Sequence, residues 1–287
     1  MNLIANFAVL ASRRTILGLP VCDLGWNGAL SFINELASLP VGQTVISFLN
    51  AHNANVMVRD TDYRDVLSRH LVLPDGIGLD IASQVMHGAS FPSNLNGTDF
   101  VPALLTYMEG SKRIGLIGAR ADVLERAAAG FREHAPWHDF IVISDGYFDK
   151  ENCAEVIDEI ARHKLDILVV GMGTPLQEKW VDRNIRMEHA RLVITVGALF
   201  DFAAGAVPRA PHMVRRLRLE WAYRLSLEPS RLWRRYVVGI PVFLFHVARY
   251  RFGSRDLQAP RAPVMRQAPA DASALPPPQD YKSARSR

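Results

Sequence analysis

The chain has 287 residues, 49% hydrophobic and 22% charged, which is ordinary for a globular protein and long enough for one large α/β domain with or without an appendage. Its two cysteines, Cys22 and Cys153, are far apart and in no metal-type spacing, which argues against a disulfide framework and for a reducing compartment. The net charge of +4 is uneven: 206–255 carries eleven arginines and two glutamates, or +9, leaving −5 on the rest, so one end is built to meet a polyanion such as an anionic membrane, nucleic acid or a phosphorylated substrate.

Residues 1–14 read as an N-terminal lead. Met1–Ser12 is mostly apolar but has no basic n-region, and Arg13-Arg14 stands where a cleavage site would be. Disorder is the simpler expectation there, with a short membrane contact as the alternative. A succession of short apolar runs follows: Thr44–Leu49, Leu71–Leu73, Arg113–Ile117, Phe140–Ser144, Asp166–Val170 and Leu192–Val196. Helical stretches over Ala121–His134 and Cys153–His163 separate some of them. Near-continuous apolar strands alternating with helices predict an α/β fold with a doubly wound, mainly parallel sheet. Ligands of such sheets sit beyond the carboxyl ends of the strands.

After Gly205 the character changes. Arginines alternate with Trp221, Tyr223, Trp233 and Tyr236; Leu217–Leu227 can form an amphipathic helix and Pro229 opens another. Val237–Val247 is apolar but, at eleven residues, too short to span a bilayer. This basic helical appendage reads as an interfacial membrane-docking segment; a core helix with a solvated basic face is the alternative. The resulting division is 1–14 lead, 15–205 catalytic α/β domain, 206–255 appendage, and 256–287 a disordered Pro/Ala-rich tail. Truncation after Ala206 is expected to leave a folded core.

Five polar motifs fall at strand ends. Asp75, between Pro74 and Gly76, is placed where a general base is useful, or is an ordinary Asp-Gly turn. Asn50, His52 and Asn53 follow the first strand and suit either sugar hydroxyls or a helix cap. Thr98 and Asp99 precede a helix and serve as a cap or beside a phosphate. Gly171 and Gly173 open a glycine-rich turn that leads to Gln177 and suits a diphosphate. Asp201 follows the last strand and can meet a base, ribose or sugar, or cap a helix.

In this order the motifs resemble those of the WecG/TagA/CpsF glycosyltransferase family. The matching segments are PDGIG (Pro74–Gly78), NGTD (Asn96–Asp99), SDGYF (Ser144–Phe148), GMGTPLQEKW (Gly171–Trp180), VGALFDFAAGAVPRAP (Val196–Pro211) and LEWAYRLSLEPSRLWRRY (Leu219–Tyr236). The resemblance covers about Thr15–Arg251. It implies inverting, metal-independent transfer from a UDP-sugar donor to a polyprenyl-diphosphate-linked sugar, with no cofactor, in surface or extracellular polysaccharide synthesis. It also implies a peripheral position on the anionic inner face of the cytoplasmic membrane, and leaves room for a homo-oligomer whose assembly is linked to membrane contact. Asp75 matches the family's general base, Asn50 an asparagine near the donor sugar, Gln177 the glutamine of GxPxQE, and Asp201 the aspartate of the FDF-like motif. Arg224, Arg231 and Arg234 match arginines that neutralise the leaving diphosphate. Two residues depart from the family pattern: Phe48 where many members have Thr, and Asn94 where many have Arg. Both lie near the implied sugar site, so a hexose other than N-acetylmannosamine stays open as donor.

Two other readings compete. A nicotinamide-dependent oxidoreductase on a Rossmann-like sheet lacks a complete G-x-G-x-x-G in its first βα unit. A nucleic-acid-binding module using 206–255 would bind with steep salt dependence and no affinity for sugar nucleotides; the family resemblance implies no nucleic-acid partner.

Overall fold

The computed structural model describes residues 12–38, 42–211, 213–214 and 219–253; the readings made for residues 1–11, for 215–218 and for the tail 256–287 lie outside them. The described chain opens on an antiparallel hairpin, β1 (Arg13–Ile16) and β2 (Leu19–Cys22). The hairpin replaces part of the expected lead, because Ile16, Leu19 and Val21 bury fully against the domain. Helix α1 (Trp26–Ser38) follows.

Next come β3 (Thr44–Leu49), α2 (Ala51–Arg59), α3 (Thr61–Ser68), β4 (Leu71–Pro74), α4 (Ile77–His87) and α5 (Gly97–Tyr107). The second half runs β5 (Arg113–Gly118), α6 (Ala121–His134), β6 (Asp139–Ser144), α7 (Ala154–His163), β7 (Leu165–Gly171), α8 (Leu176–Asn184), β8 (Ala190–Thr195) and α9 (Leu199–Ala203). The six strands from β3 to β8 form one sheet in the order β4-β3-β8-β7-β5-β6, with every pairing parallel. Strands buried on both faces need mostly aliphatic side chains, which is why they read as near-continuous apolar runs.

Helices cover both faces, as a doubly wound sheet requires. On one face α1, α5, α6 and α9 pack over Ile46, Leu73, Leu116, Val169 and Ile194. On the other, α2–α4 and the hairpin bury Leu49 and Val72, while α7 and α8 bury Leu168, Val170 and Val193.

The C-terminal segment forms α10 (Glu220–Leu227) and α11 (Pro229–Trp233), a π-turn over Arg234–Val238, and α12 (Gly239–Phe252). Helix α12 and the turn before it bury one part of the apolar run and expose another. Phe243 and Val247 are 0% and 1% exposed and belong to the core beside Leu49, Met57 and Leu79. Val238 in the π-turn, with Phe245 and Phe252 on the helix, is exposed. Asn55 Nδ2 donates to Gly239 O at 2.7 Å and pins the start of α12 to α2. Among the described residues no helix is long and apolar enough to cross a membrane.

Candidate active site

The carboxyl ends of β3 and β4 lie side by side, Leu49 opposite Pro74, and the Asp75 amide donates to Leu49 O at 2.8 Å. The chain turns at Gly76, whose φ of 87° is in the left-handed region that favours glycine. The Gly76 amide donates to Asn94 Oδ1 at 2.8 Å, so Asn94 holds the turn rather than pointing a side chain outward.

Asn50 does two jobs. Its Oδ1 caps α2 by accepting from the Asn53 amide at 3.0 Å, and its Nδ2 donates to Asp75 Oδ2 at 3.1 Å. With both ends of the amide engaged, the carboxylate is held in one orientation. Burial raises the Asp75 pKa; the Asn50 hydrogen bond and the charges of Arg235 and Arg224 work against that, and Asp99 adds to it. A carboxylate so placed is a stronger base than an exposed one and can take a proton from a hydroxyl.

Asp99 lies in the first turn of α5, whose cap is Asn96 rather than Thr98 or Asp99: Asn96 Oδ1 accepts from the Asp99 amide at 3.0 Å. Arg209 forms an ion pair with Asp99. Thr98 sits partly buried in the same turn.

At the end of β7, Gly171 touches the Phe200 ring so closely that a Cβ would lie 2.7 Å from it. Gly173 has φ 88°. Gln177 is 2% exposed. Its Oε1 accepts from the Met172 and Gly173 amides at 3.1 and 3.0 Å, and its Nε2 donates to Glu178 Oε1 at 2.9 Å. Gln177 therefore shapes the glycine loop from beneath. Asn53 is likewise turned inward, its Nδ2 on Phe48 O at 2.9 Å.

Asp201 is in α9, with Ala198 at the cap position. Burial raises its pKa, opposed by Arg231 and Arg224. Arg224 thus acts on both Asp75 and Asp201 and links the two halves of the sheet's carboxyl edge. Its guanidinium lies 5.2 Å from the centre of the Phe202 ring, and its buried Nε has no partner among the described residues. Arg231 bonds Glu228 at 2.5 Å. Arg234 is exposed, over the Trp233 ring.

The structure brings Asn50, Asp75, Asp99, Asp201, Arg224 and Arg231 to one edge. It turns Asn53 and Gln177 into the fold, and puts His52 and Arg234 on a neighbouring cavity that Arg231 also lines. Reasoning from the sequence missed Arg235, which is partly buried and acts on Asp75. The signal for it was the Arg231–Arg235 spacing, one helical turn on the same face. Among the described residues no group of three or more His, Cys, Asp or Glu is arranged to hold a metal ion.

Glu178 is buried, and its Oε1 accepts from Thr174 Oγ1 and Gln177 Nε2, both at 2.9 Å. Burial raises its pKa above 4.5. A carboxyl raised on folding contributes stability that is complete below its unfolded pKa and is lost as pH rises through the folded one. Glu178→Gln keeps an acceptor oxygen and removes the charge. It should flatten the decline of Tm above about pH 4.5, a change readable by thermal melts at several pH values. An unchanged pH slope would remove Glu178 as its source.

The sequence model of the glycosyl transferase WecG/TagA/CpsF family matches residues 14–257. The chain is 35% identical over 224 residues to the N-acetylglucosaminyldiphosphoundecaprenol N-acetyl-beta-D-mannosaminyltransferase of Bacillus subtilis (strain 168), covering 76% of this chain and 86% of that protein. It is 30% identical over 229 residues to the protein of the same name from Bacillus spizizenii, covering 78% and 87%. A Staphylococcus aureus (strain NCTC 8325) protein of that name is 26% identical over 218 residues, covering 75% and 81%.

Proposed function

The chain belongs to the WecG/TagA/CpsF family of glycosyl transferases, and from that premise we propose that it moves a hexose or N-acetylhexosamine from a UDP-sugar to a sugar on a polyprenyl diphosphate, with inversion and without a metal or other cofactor. The observation that carries the reading is Asp75: a carboxylate of raised pKa, oriented by Asn50 and flanked by arginines from the C-terminal segment. In the proposed reaction the acceptor hydroxyl attacks the anomeric carbon and gives its proton to Asp75. The bond from that carbon to the diphosphate oxygen breaks, and UDP leaves with its electron pair. Arg224 and Arg231, which act on Asp201, meet the charge that develops there. Gly171 and Gly173 let the donor approach the β7 turn, Asp201 lies toward the nucleoside, and Asn50 lies toward the donor sugar.

The donor sugar named for the relatives does not transfer automatically. The Phe48 ring lies where a Cβ on Gly97 would be 3.1 Å away, and Asn94 is engaged by Gly76. The protein works in cell-surface or extracellular polysaccharide synthesis, peripherally on the inner face of the cytoplasmic membrane. Val238, Phe245 and Phe252, with Arg249 and Arg251, give the C-terminal segment the apolar and cationic groups for that contact.

The test is UDP release with a synthetic polyprenyl-diphosphate-sugar acceptor, a panel of UDP-sugars and EDTA. Acceptor-dependent release from one donor is expected. A folded protein that releases nothing from any donor, with several acceptor sugars tried, overturns the reading.

A further inference from the structure

Glu178 is a buried carboxyl that the proposed reaction does not use. It stands beside Gln177 in the first turn of α8, and both side chains are 2% exposed. Burying a carboxyl costs free energy unless its oxygens find donors. Only one oxygen of Glu178 does. Its Oε1 accepts from Thr174 Oγ1 and from Gln177 Nε2, both at 2.9 Å. Its Oε2 is buried with no hydrogen-bond partner among the described residues.

Both donors on Oε1 belong to the glycine loop at the end of β7. With its Nε2 given to Glu178, Gln177 presents its Oε1 to the loop, and that oxygen accepts from the Met172 and Gly173 amides at 3.1 and 3.0 Å. An amide turned round would set its NH2 against two N–H donors and pair with neither. Thr174 is tied to Glu178 directly. The main chain closes the same unit, the Gln177 amide donating to Gly173 O at 3.0 Å. Residues 172, 173 and 174 are thus fastened from beneath, and the fastening of each runs through Glu178.

The loop depends on that fastening. Gly171 and Gly173 bring no side chains to pack, and Gly173 has φ 88°, so hydrogen bonds set the path of the backbone. The Met172 and Gly173 amides face Gln177 and are not offered to a diphosphate. What the loop gives a donor is close approach of its backbone, which is only as exact as the bonds that hold it; small displacements of a positioning element cost binding and rate.

We propose that Glu178 is a positioning residue for the donor: through Gln177 and Thr174 it sets the shape of the 172–174 loop against which the UDP-sugar lies. The assignment rests on the glycosyltransferase reading above. Glu178 itself touches neither substrate.

The test uses the full chain, calorimetric titration with UDP, and the UDP-release assay for the KM of donor and acceptor. Glu178→Leu keeps the bulk and removes the acceptor oxygen. It should weaken UDP and raise the donor KM roughly tenfold, the fold-change of about one lost buried hydrogen bond, with the acceptor KM within about twofold of wild type. Glu178→Gln still offers an oxygen to both donors and loses no bond at Oε2, so UDP affinity should stay within about twofold of wild type. Thr174→Val removes one bond, leaves the carboxyl in place, and should fall between the two. A folded Glu178→Leu protein with lowered Tm and unchanged UDP affinity would make the residue a stabilising element alone and overturn the proposal. Equal losses in the Leu and Gln variants would also overturn it, because charge rather than the bonds would then be the cause. Where Glu178→Leu does not fold, Thr174→Val decides, and unchanged UDP affinity there overturns the proposal. Failure of the underlying reading shows in wild type itself, which would then bind no UDP and release none.

Discussion

Asp75→Asn should lower the transfer rate by about two to four orders of magnitude, the usual range for loss of a general base, with little change in KM for either substrate. The amide has the carboxylate's shape and can still accept from Asn50 Nδ2, so the substrates meet the same surface; only the proton acceptor is gone. The pH profile supplies an independent check. The pKa of Asp75 is raised by burial, so the acid limb of the wild-type rate should fall at a higher pH than an ordinary carboxylate gives, and protonation switches the enzyme off. The Asn variant should lose that limb. Stability moves the other way. A carboxyl raised on folding stabilises most below its unfolded value of 3.8 and loses that contribution as pH rises through the folded one. At neutral pH the Asn variant should therefore be at least as stable as wild type, and unfolding cannot account for its lost rate. A near-normal rate in that variant takes Asp75 out of the chemistry.

Phe243→Ala should cost about 3–5 kcal/mol, the range for deleting a fully buried aromatic ring, measured by urea denaturation. Phe243 is 0% exposed and lies against α4, where a Cβ on Gly78 would be 3.7 Å from its ring. The ring joins α12 to the core formed by Leu49, Ala54, Met57, Leu79 and Ala82. Removing the chain after Ala206 would uncover that core, so such a truncation is expected to cost the domain stability as well as turnover. Activity in Phe243→Ala should fall further than the unfolded fraction explains, because Arg231, Arg234 and Arg235 ride on the helical run that Phe243 anchors. A loss below about 1 kcal/mol would mean that the site has collapsed around the missing ring or that α12 is held elsewhere.

The sheet was legible in the sequence because parallel strands buried on both faces leave few polar interruptions. All six strands coincide with apolar runs to within about two residues, the ordinary uncertainty of strand and helix ends. The β1–β2 hairpin was not legible. Its strands have four residues each, Pro20 interrupts the second, and Arg13 and Arg14 open the first. Only the structure shows that Arg14 is tied down by Asp23 at 2.7 Å and by the Ala89 and Ser90 carbonyls.

In the site, residues at strand ends were readable because strand ends are where such sheets bind ligands. What a side chain does once there was not. Gln177 looks like a ligand group, yet its amide is spent on the loop above it. Asn50 looks like either a cap or a ligand group, and it both caps α2 and holds Asp75. The cavity joins Arg59 to Arg234 and Arg235, which lie far apart in the chain, and no local pattern announces a contact between such distant segments.

The π-turn at Arg234–Val238 has a consequence for how this segment can vary. A π-turn has the extra residue of a one-residue insertion into an α-helix, so the helix on either side keeps its phase. Upstream, Arg231 keeps its place near Asp201; downstream, Phe243 and Val247 keep theirs in the core. The bulge is then a locus where residues can be exchanged, or one lost, without rotating the anchoring face. The arginine-bearing wall can change while the clasp that closes the domain stays fixed.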